Sequence, residues 1–234
     1  FEFGKTYGLL GKSGCGKSTL LKLLMRIYQG EGDILFNNES IEKINSQTLK
    51  ENMSYVDQET FLFKDTLYHN ITLLNPNYQQ EEVIEACKQA QIHDFIMSLP
   101  QGYQTVYDEN ISGGQKQRLC LARTIIKNPD IYIFDEATSN IDVESEEKIW
   151  ESIEKLSKDK TVIIISHRLL NVKNADTIYM LENGVIAESG NHNELMLKGG
   201  VYKNLVDHQN DLENIYDELE SKNLEKVSEE IEVI

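Results

Sequence analysis

Nine consecutive residues near the start of the chain, Gly11-Lys12-Ser13-Gly14-Cys15-Gly16-Lys17-Ser18-Thr19, have the types and spacing to bind a phosphate chain. They fit G-x-x-x-x-G-K-[ST], with Gly11, Gly16, Lys17 and Ser18 in the fixed places. The glycines let backbone N–H groups converge on an anion, and a helix starting there adds the positive end of its dipole. In such a loop Lys17 reaches the β- and γ-phosphates and Ser18 offers its hydroxyl to Mg²⁺. The flanks agree: Tyr7-Gly8-Leu9-Leu10 reads as a strand end, and from Leu20 to Ile27 apolar residues recur at helical spacing.

A phosphate loop needs a carboxylate for its metal. Ile131-Tyr132-Ile133-Phe134 reads as a buried strand ending in Asp135 and Glu136. Asp135, at the strand's carboxyl end, is placed to hold Mg²⁺ directly or through water. Glu136 follows where it can polarise a water in line with the γ-phosphate. Ser112-Gly113-Gly114, ahead of a helical stretch, makes a second anion cradle on the same physical grounds.

The elements that must position these groups alternate. Strand-like runs fall at Phe1–Leu10, Ile34–Phe36, Met53–Val56, Ile131–Phe134, Thr161–Ile165, Thr177–Leu181 and Ile186–Ser189. Helical patterns fall at Leu20–Tyr28, Glu81–Gln91, His93–Leu99, Gln115–Lys127, Glu144–Leu156, Asn193–Lys198 and Val201–His208. Near-continuous apolar strands alternating with helices predict an α/β domain around a buried, mainly parallel sheet. Asn37-Asn38 and Asn183-Gly184 are hairpin turns, which add an antiparallel β edge. Residues 59–128 predict a helical insertion in that domain. Its Glu59–Ile71 run is more apolar and aromatic than a solvated loop needs, so it serves partly as core and partly as a docking surface.

The 234 residues suffice for one large domain, and the net charge is −16. That charge argues against nucleic acid as a partner. Half of the excess sits in the last 28 residues, where ten acids face only Lys222 and Lys226. This acidic tail, residues 207–234, reads as helical but mostly charged, with Leu212, Ile215 and Leu219 on one stripe. Cys15, Cys87 and Cys120 have no metal-ligand spacing and suit a reducing cytosol. The chain opens on Phe1-Glu2-Phe3 without an initiator Met, which reads as a piece of a longer protein.

Ile111-Ser112-Gly113-Gly114-Gln115-Lys116-Gln117-Arg118 resembles the signature of ATP-binding cassette (ABC) ATPases, with Ile111 where the family usually has Leu. The other family elements follow in order over residues 3–208. Gln58 resembles the glutamine that touches Mg²⁺ or water and senses the γ-phosphate. Ser139-Asn140-Ile141-Asp142 is similar to the D-loop, and His167 to the switch histidine that contacts the γ-phosphate. The resemblance implies a P-loop NTPase (RecA-like) core over residues 1–206 with a helical subdomain inserted at about 59–128. It also implies ATP and Mg²⁺ as cofactors, with Glu136 as general base and Ser18, Gln58 and Asp135 around the metal. Each ATP would lie between the phosphate loop of one domain and Ser112, Gly113, Gly114 and Gln115 of a second ABC ATPase domain, an isologous arrangement.

Ser166-His167-Arg168-Leu169 and the Phe61-to-Ile71 run resemble the exporter branch. That branch implies a transmembrane domain N-terminal in the same polypeptide, and a place at the cytoplasmic face of the cell membrane. Two departures stand out. The segment Tyr107–Asn110 is shorter than exporters usually carry, with Glu109 in place of their acid. The aromatic residue that the family stacks on adenine lies well upstream of its phosphate loop, whereas only ten residues precede Gly11 here. Base stacking is worth about 1–3 kcal/mol, so weak or no ATP binding is the expectation for this stretch by itself. A soluble ABC ATPase and a non-hydrolysing regulatory module are the alternative readings.

Overall fold

Thr161-Val162-Ile163-Ile164-Ile165 is a run of β-branched residues, which favour the pleated backbone, and every one is buried. It lies inside a six-stranded sheet. The computed structural model describes residues 1–211 except 109, 139 and 140. In chain order the elements are β1 (Thr6–Leu10), α1 (Lys17–Leu24), β2 (Leu35–Phe36), β3 (Glu39–Ser40), α2 (Ser46–Asn52) and β4 (Met53–Val56). Next come α3 (Leu67–Thr72), α4 (Gln80–Gln89), α5 (His93–Ser98), α6 (Gly113–Ile125), β5 (Ile131–Asp135) and α7 (Val143–Leu156). The chain continues with β6 (Thr161–Ile165), β7 (Thr177–Glu182), β8 (Val185–Gly190), α8 (His192–Lys198) and a helix over residues 201–211.

The sheet order is β4-β5-β6-β1-β7-β8. All pairs are parallel except β7 with β8. Successive residues of a strand face opposite sides, and the core divides accordingly. Tyr7, Leu9, Ile133, Ile163 and Ile165 pack with Leu21 of α1 on one side. Leu10, Tyr132, Phe134, Val162 and Ile164 pack on the other with Leu119 and Ala122 of α6 and Ile149 and Ile153 of α7. The sheet is thus covered on both faces, the layered arrangement that parallel strands require. Between β4 and β5 the regular elements among the described residues are helices, joined by loops that include an isolated bridge of Thr66 with Val106.

The β2–β3 turn has Asn37 and Asn38 at φ 50° and 65°, and the β7–β8 turn has Asn183 and Gly184 at 50° and 80°. Two central residues at positive φ define the hairpin turn whose twist matches its strands.

Several boundaries differ from the sequence reading. The strand read from Phe1 starts at Thr6, because Gly4 at φ 72° breaks the extended run. The helix read as Leu20–Tyr28 is Lys17–Leu24. Its first turn is the end of the phosphate loop, and Arg26 at φ 55° turns the chain away. Short helices α2 and α3 were not expected. Each is held at its start by a side chain: Asn45 accepts from the Gln47 N–H and Thr66 from the His69 N–H. Residues 207–211 continue the helix of 201–211. The rest of the acidic tail, with Leu212, Ile215 and Leu219, lies outside the described residues, as do Glu109, Ser139 and Asn140.

Phe134 is 1% exposed and stacks on Tyr132 with ring centroids 6.3 Å apart. Phe134→Ala is expected to cost about 3–5 kcal/mol, read as a lower urea midpoint at unchanged slope.

Candidate active site

Because β4, β5, β6 and β1 run parallel, their carboxyl ends meet at one edge of the sheet. The register aligns them: Leu9 is opposite Ile165, Ile165 opposite Asp135, and Phe134 opposite Val56. The segments leaving that edge carry Gly11–Thr19, Gln58, Glu136 and His167. A crevice outside the carboxyl ends of parallel strands is where such folds bind ligands.

Gly16 caps α1 with φ 105°, a conformation that side chains resist, and makes no side-chain hydrogen bond to the helix start. The first N–H groups of α1 are therefore left without a capping side chain, the arrangement that receives an anion. Gly11 presses against the Leu181 carbonyl and the Cys15 thiol, where a Cβ has no room. Lys17 is only 6% exposed. Its Nζ donates to the carbonyls of Gly11 at 2.7 Å and Lys12 at 3.1 Å, and lies 3.8 Å from Cys15 Sγ. The ammonium is thereby held within the loop. Lys12, Ser13, Gly14, Ser18 and Thr19 are exposed.

Asp135 is buried at the end of β5, and its Oδ2 accepts from Tyr55 Oη at 2.9 Å. Burial, then this bond to a carboxylate, pushes the Tyr55 phenol far above its usual range, so it remains a donor. Glu136 has φ 49°, unusual for a side-chain-bearing residue, while its N–H donates to the Ile165 carbonyl at 3.0 Å. That turn takes Glu136 off the strand line, leaving its side chain 28% exposed, with Oε1 3.8 Å from His167 Nδ1. Both line a cavity of about 300 Å³ with Thr138, Ile141 and Ser166. Gln58, two residues beyond β4, is exposed at the same edge.

The loop after β6 is tied down around His167. Ser166 Oγ accepts from the Arg168 N–H at 2.9 Å and from Asn171 Nδ2 at 3.1 Å. The Arg168 guanidinium bonds to the buried Glu146. Glu146 Oε1 also accepts from Thr138 Oγ1 at 3.1 Å and Trp150 Nε1 at 3.4 Å. One carboxylate of α7 therefore joins the segment after β5 to the loop after β6.

Ser112 and Gln115 form a reciprocal capping box at the start of α6. Ser112 Oγ accepts from the Gln115 N–H at 3.2 Å, and Gln115 Oε1 from the Ser112 N–H at 3.0 Å. Gly113 is exposed, while Gly114 is buried against α7. A Cβ on Gly114 would run into the Ser145 side chain and come within 3.3 Å of Asp142 Oδ2. Asp142 caps α7, and bonds from the Ser145 N–H and hydroxyl hold its carboxyl below the usual range. Among the described residues no hydrogen bond joins Ser112–Gln115 to Gly11–Thr19.

A family model described as ABC transporter matches residues 1–139. The chain belongs to the ABC transporter family. A multidrug export ATP-binding/permease protein of Staphylococcus aureus NCTC 8325 is 47% identical over 213 residues, 89% of this chain and 37% of that protein. The corresponding protein of the bovine strain RF122 is 46% identical over the same span. Among solved structures, a bacterial Atm1-family ABC exporter with ATP bound superposes with a TM-score of 0.83 at 39% identity. That match covers 88% of this chain and 37% of the exporter. The chain thus spans about 37% of the length of these ABC relatives. Its fold is the expected α/β P-loop NTPase core with a mainly parallel sheet, helices and an antiparallel edge.

The structure brings the phosphate loop, Asp135, Glu136, Gln58 and His167 to one edge and leaves the signature apart from it. Sequence reasoning missed Tyr55 and Glu146. Tyr55 bonds a residue 80 positions away, which no local pattern announces. Glu146 looks like one more acid on a charged helix face. Gly114→Ala is expected to push α6 off α7 and destabilise by about 1–3 kcal/mol, seen as a lower thermal midpoint.

Proposed function

We propose that this chain binds Mg²⁺-ATP at the carboxyl edge of its sheet, hydrolyses the γ-phosphate, and so powers export through a membrane domain. The observation that carries the reading is the Glu136–His167 pair facing one cavity at the sheet edge from which the phosphate loop also leaves. The ATP-bound exporter relative supports the choice of nucleotide.

In this reading the loop amides and Lys17 hold phosphate oxygens, and the buried ammonium exchanges its carbonyl partners for them. Ser18 and Asp135 would hold Mg²⁺, with Gln58 reaching it directly or through water, and the ion would supply charge neutralisation at the phosphates. The described residues offer no cluster of three or more His, Cys, Asp or Glu to enclose a metal. A site completed by phosphates and water suits Mg²⁺, which keeps waters and takes one or two carboxylates. Tyr55 orients Asp135. Gln58 and His167 align the water and the γ-phosphate. Glu136 takes a proton as the water oxygen bonds to phosphorus and the bond to the ADP oxygen breaks.

Ser112, Gly113, Gly114 and Gln115 complete the site of a second ABC ATPase domain, whose own signature completes this one. That requirement accounts for the separation of signature and phosphate loop within one chain. The permease part of the relatives' names supports a transmembrane partner, here assigned to the same polypeptide on the N-terminal side. No helix among the described residues is long and apolar enough to cross a membrane. The export names of the relatives support a place for the domain at the cytoplasmic face of the cell membrane. Exposed Phe61, Phe63, Leu73 and Leu74 supply an apolar surface for that partner.

In the protein carrying the membrane domain, Glu136→Gln is expected to keep ATP affinity and lose turnover at least 100-fold, the low end of what a general base contributes. Phosphate release and nucleotide titration check this, and undiminished hydrolysis would remove Glu136 from the role. A thiol reagent is expected to block hydrolysis through Cys15, with prior ATP protecting. Equal inactivation of Cys15→Ala would exclude that site.

A further inference from the structure

The imidazole of His167 is 61% exposed, and its nearest charged group, Glu136, is 3.8 Å away. Its place is therefore set by its main chain rather than by side-chain packing. Ser166, Asn171 and Arg168 hold the loop from the side of the sheet. One further residue, 42 positions further along the chain, holds it from the other side. Gln209 Nε2 donates to the His167 carbonyl at 2.6 Å, and the Leu169 N–H donates to Gln209 Oε1 at 3.0 Å. These are the partners found for both backbone groups among the described residues.

We propose that Gln209 is a positioning residue for the catalytic edge, its amide clamping the backbone on either side of Arg168 so that His167 is held toward Glu136. The proposal rests on the role given to His167 above.

The chemistry suits an amide. One flank of the clamp must donate to a carbonyl and the other must accept from an N–H, and a carboxamide does both without charge. A carboxylate cannot donate, and an ammonium cannot accept. The clamp also has a firm mount. Glu188 of β8 accepts the N–H groups of Val201 and Tyr202 at 2.9 and 3.0 Å, capping the helix of residues 201–211. Tyr202 Oη bonds to His192 Nδ1 at 2.6 Å, and Tyr202 and Val206 are buried. Tyr202, Val206 and Gln209, at i, i+4 and i+7, share one helix face. The helix is thereby fixed to β8, which pairs with β7, which pairs with the phosphate-loop strand β1. The clamp thus refers the His167 loop to the strand that carries the phosphate loop.

The test uses the protein with its membrane domain and measures steady-state ATPase activity for Gln209→Ala and Gln209→Glu, in wild-type and His167→Ala backgrounds. A displacement of about 1 Å at a positioned group costs up to about 100-fold. Gln209→Ala is expected to lower kcat about tenfold and leave KM for ATP within about twofold. Gln209→Glu should be no better, because its carboxylate opposes the His167 carbonyl. With His167 already replaced, Gln209→Ala should cost nothing more. Amide exchange at Leu169 gives a second readout that needs no turnover, and its protection should fall about tenfold in Gln209→Ala. Wild-type kcat in Gln209→Ala, an equal loss in both backgrounds, or unchanged Leu169 protection would overturn the proposal. An inactive His167→Ala beside a fully active Gln209→Ala would overturn the clamp alone. A fully active His167→Ala would remove the role of His167 and the clamp with it.

Discussion

Parallel pairing of β1 with β6 and of β6 with β5 is the constraint on which the rest depends. A parallel ladder sends every strand's carboxyl end the same way, so chemistry from distant parts of the sequence arrives along one edge. Parallel strands also need crossovers of a dozen or more residues, and helices supply them. Those crossovers cover both faces of the sheet. The buried run Thr161–Ile165 can therefore be β-branched throughout, with no polar side of its own.

At the edge, polar groups are brought out of water only with partners in place. Lys17 keeps two carbonyls, Asp135 keeps the Tyr55 hydroxyl, and Glu146 gathers an arginine, a threonine and a tryptophan. A buried charge stripped of such partners costs several kcal/mol. Glu136 and His167 are held differently, through backbone geometry, with their side chains partly open to the cavity. The edge thus combines fixed neighbours with two side chains, Glu136 and His167, that remain accessible.

Much of this is legible in the residues. The glycine-rich loop between strand and helix, the acid pair after an apolar strand and both asparagine-containing turns are local patterns, and each lies at the element boundary its pattern predicts. Strand order is not local. Nothing in Met53–Val56 says that it pairs with Ile131–Phe134, and so nothing says that Tyr55 reaches Asp135. The apolar spacing places the start of α1 three residues late, because Lys17 and Ser18 belong to the loop motif and to the first helical turn at once. Helices α2 and α3, with seven and six residues, are too short for a hydrophobic period to stand out. Their capping side chains at Asn45 and Thr66 were the readable signs.

The shared carboxylate of Glu146 has a mechanical meaning. Thr138 leads into the segment that ends in the Asp142 cap of α7, and Arg168 follows His167. Because both bond to the same carboxylate, any shift of Glu146 disturbs both segments at once. Two loops from neighbouring strands thus share one mount, a single side chain of α7.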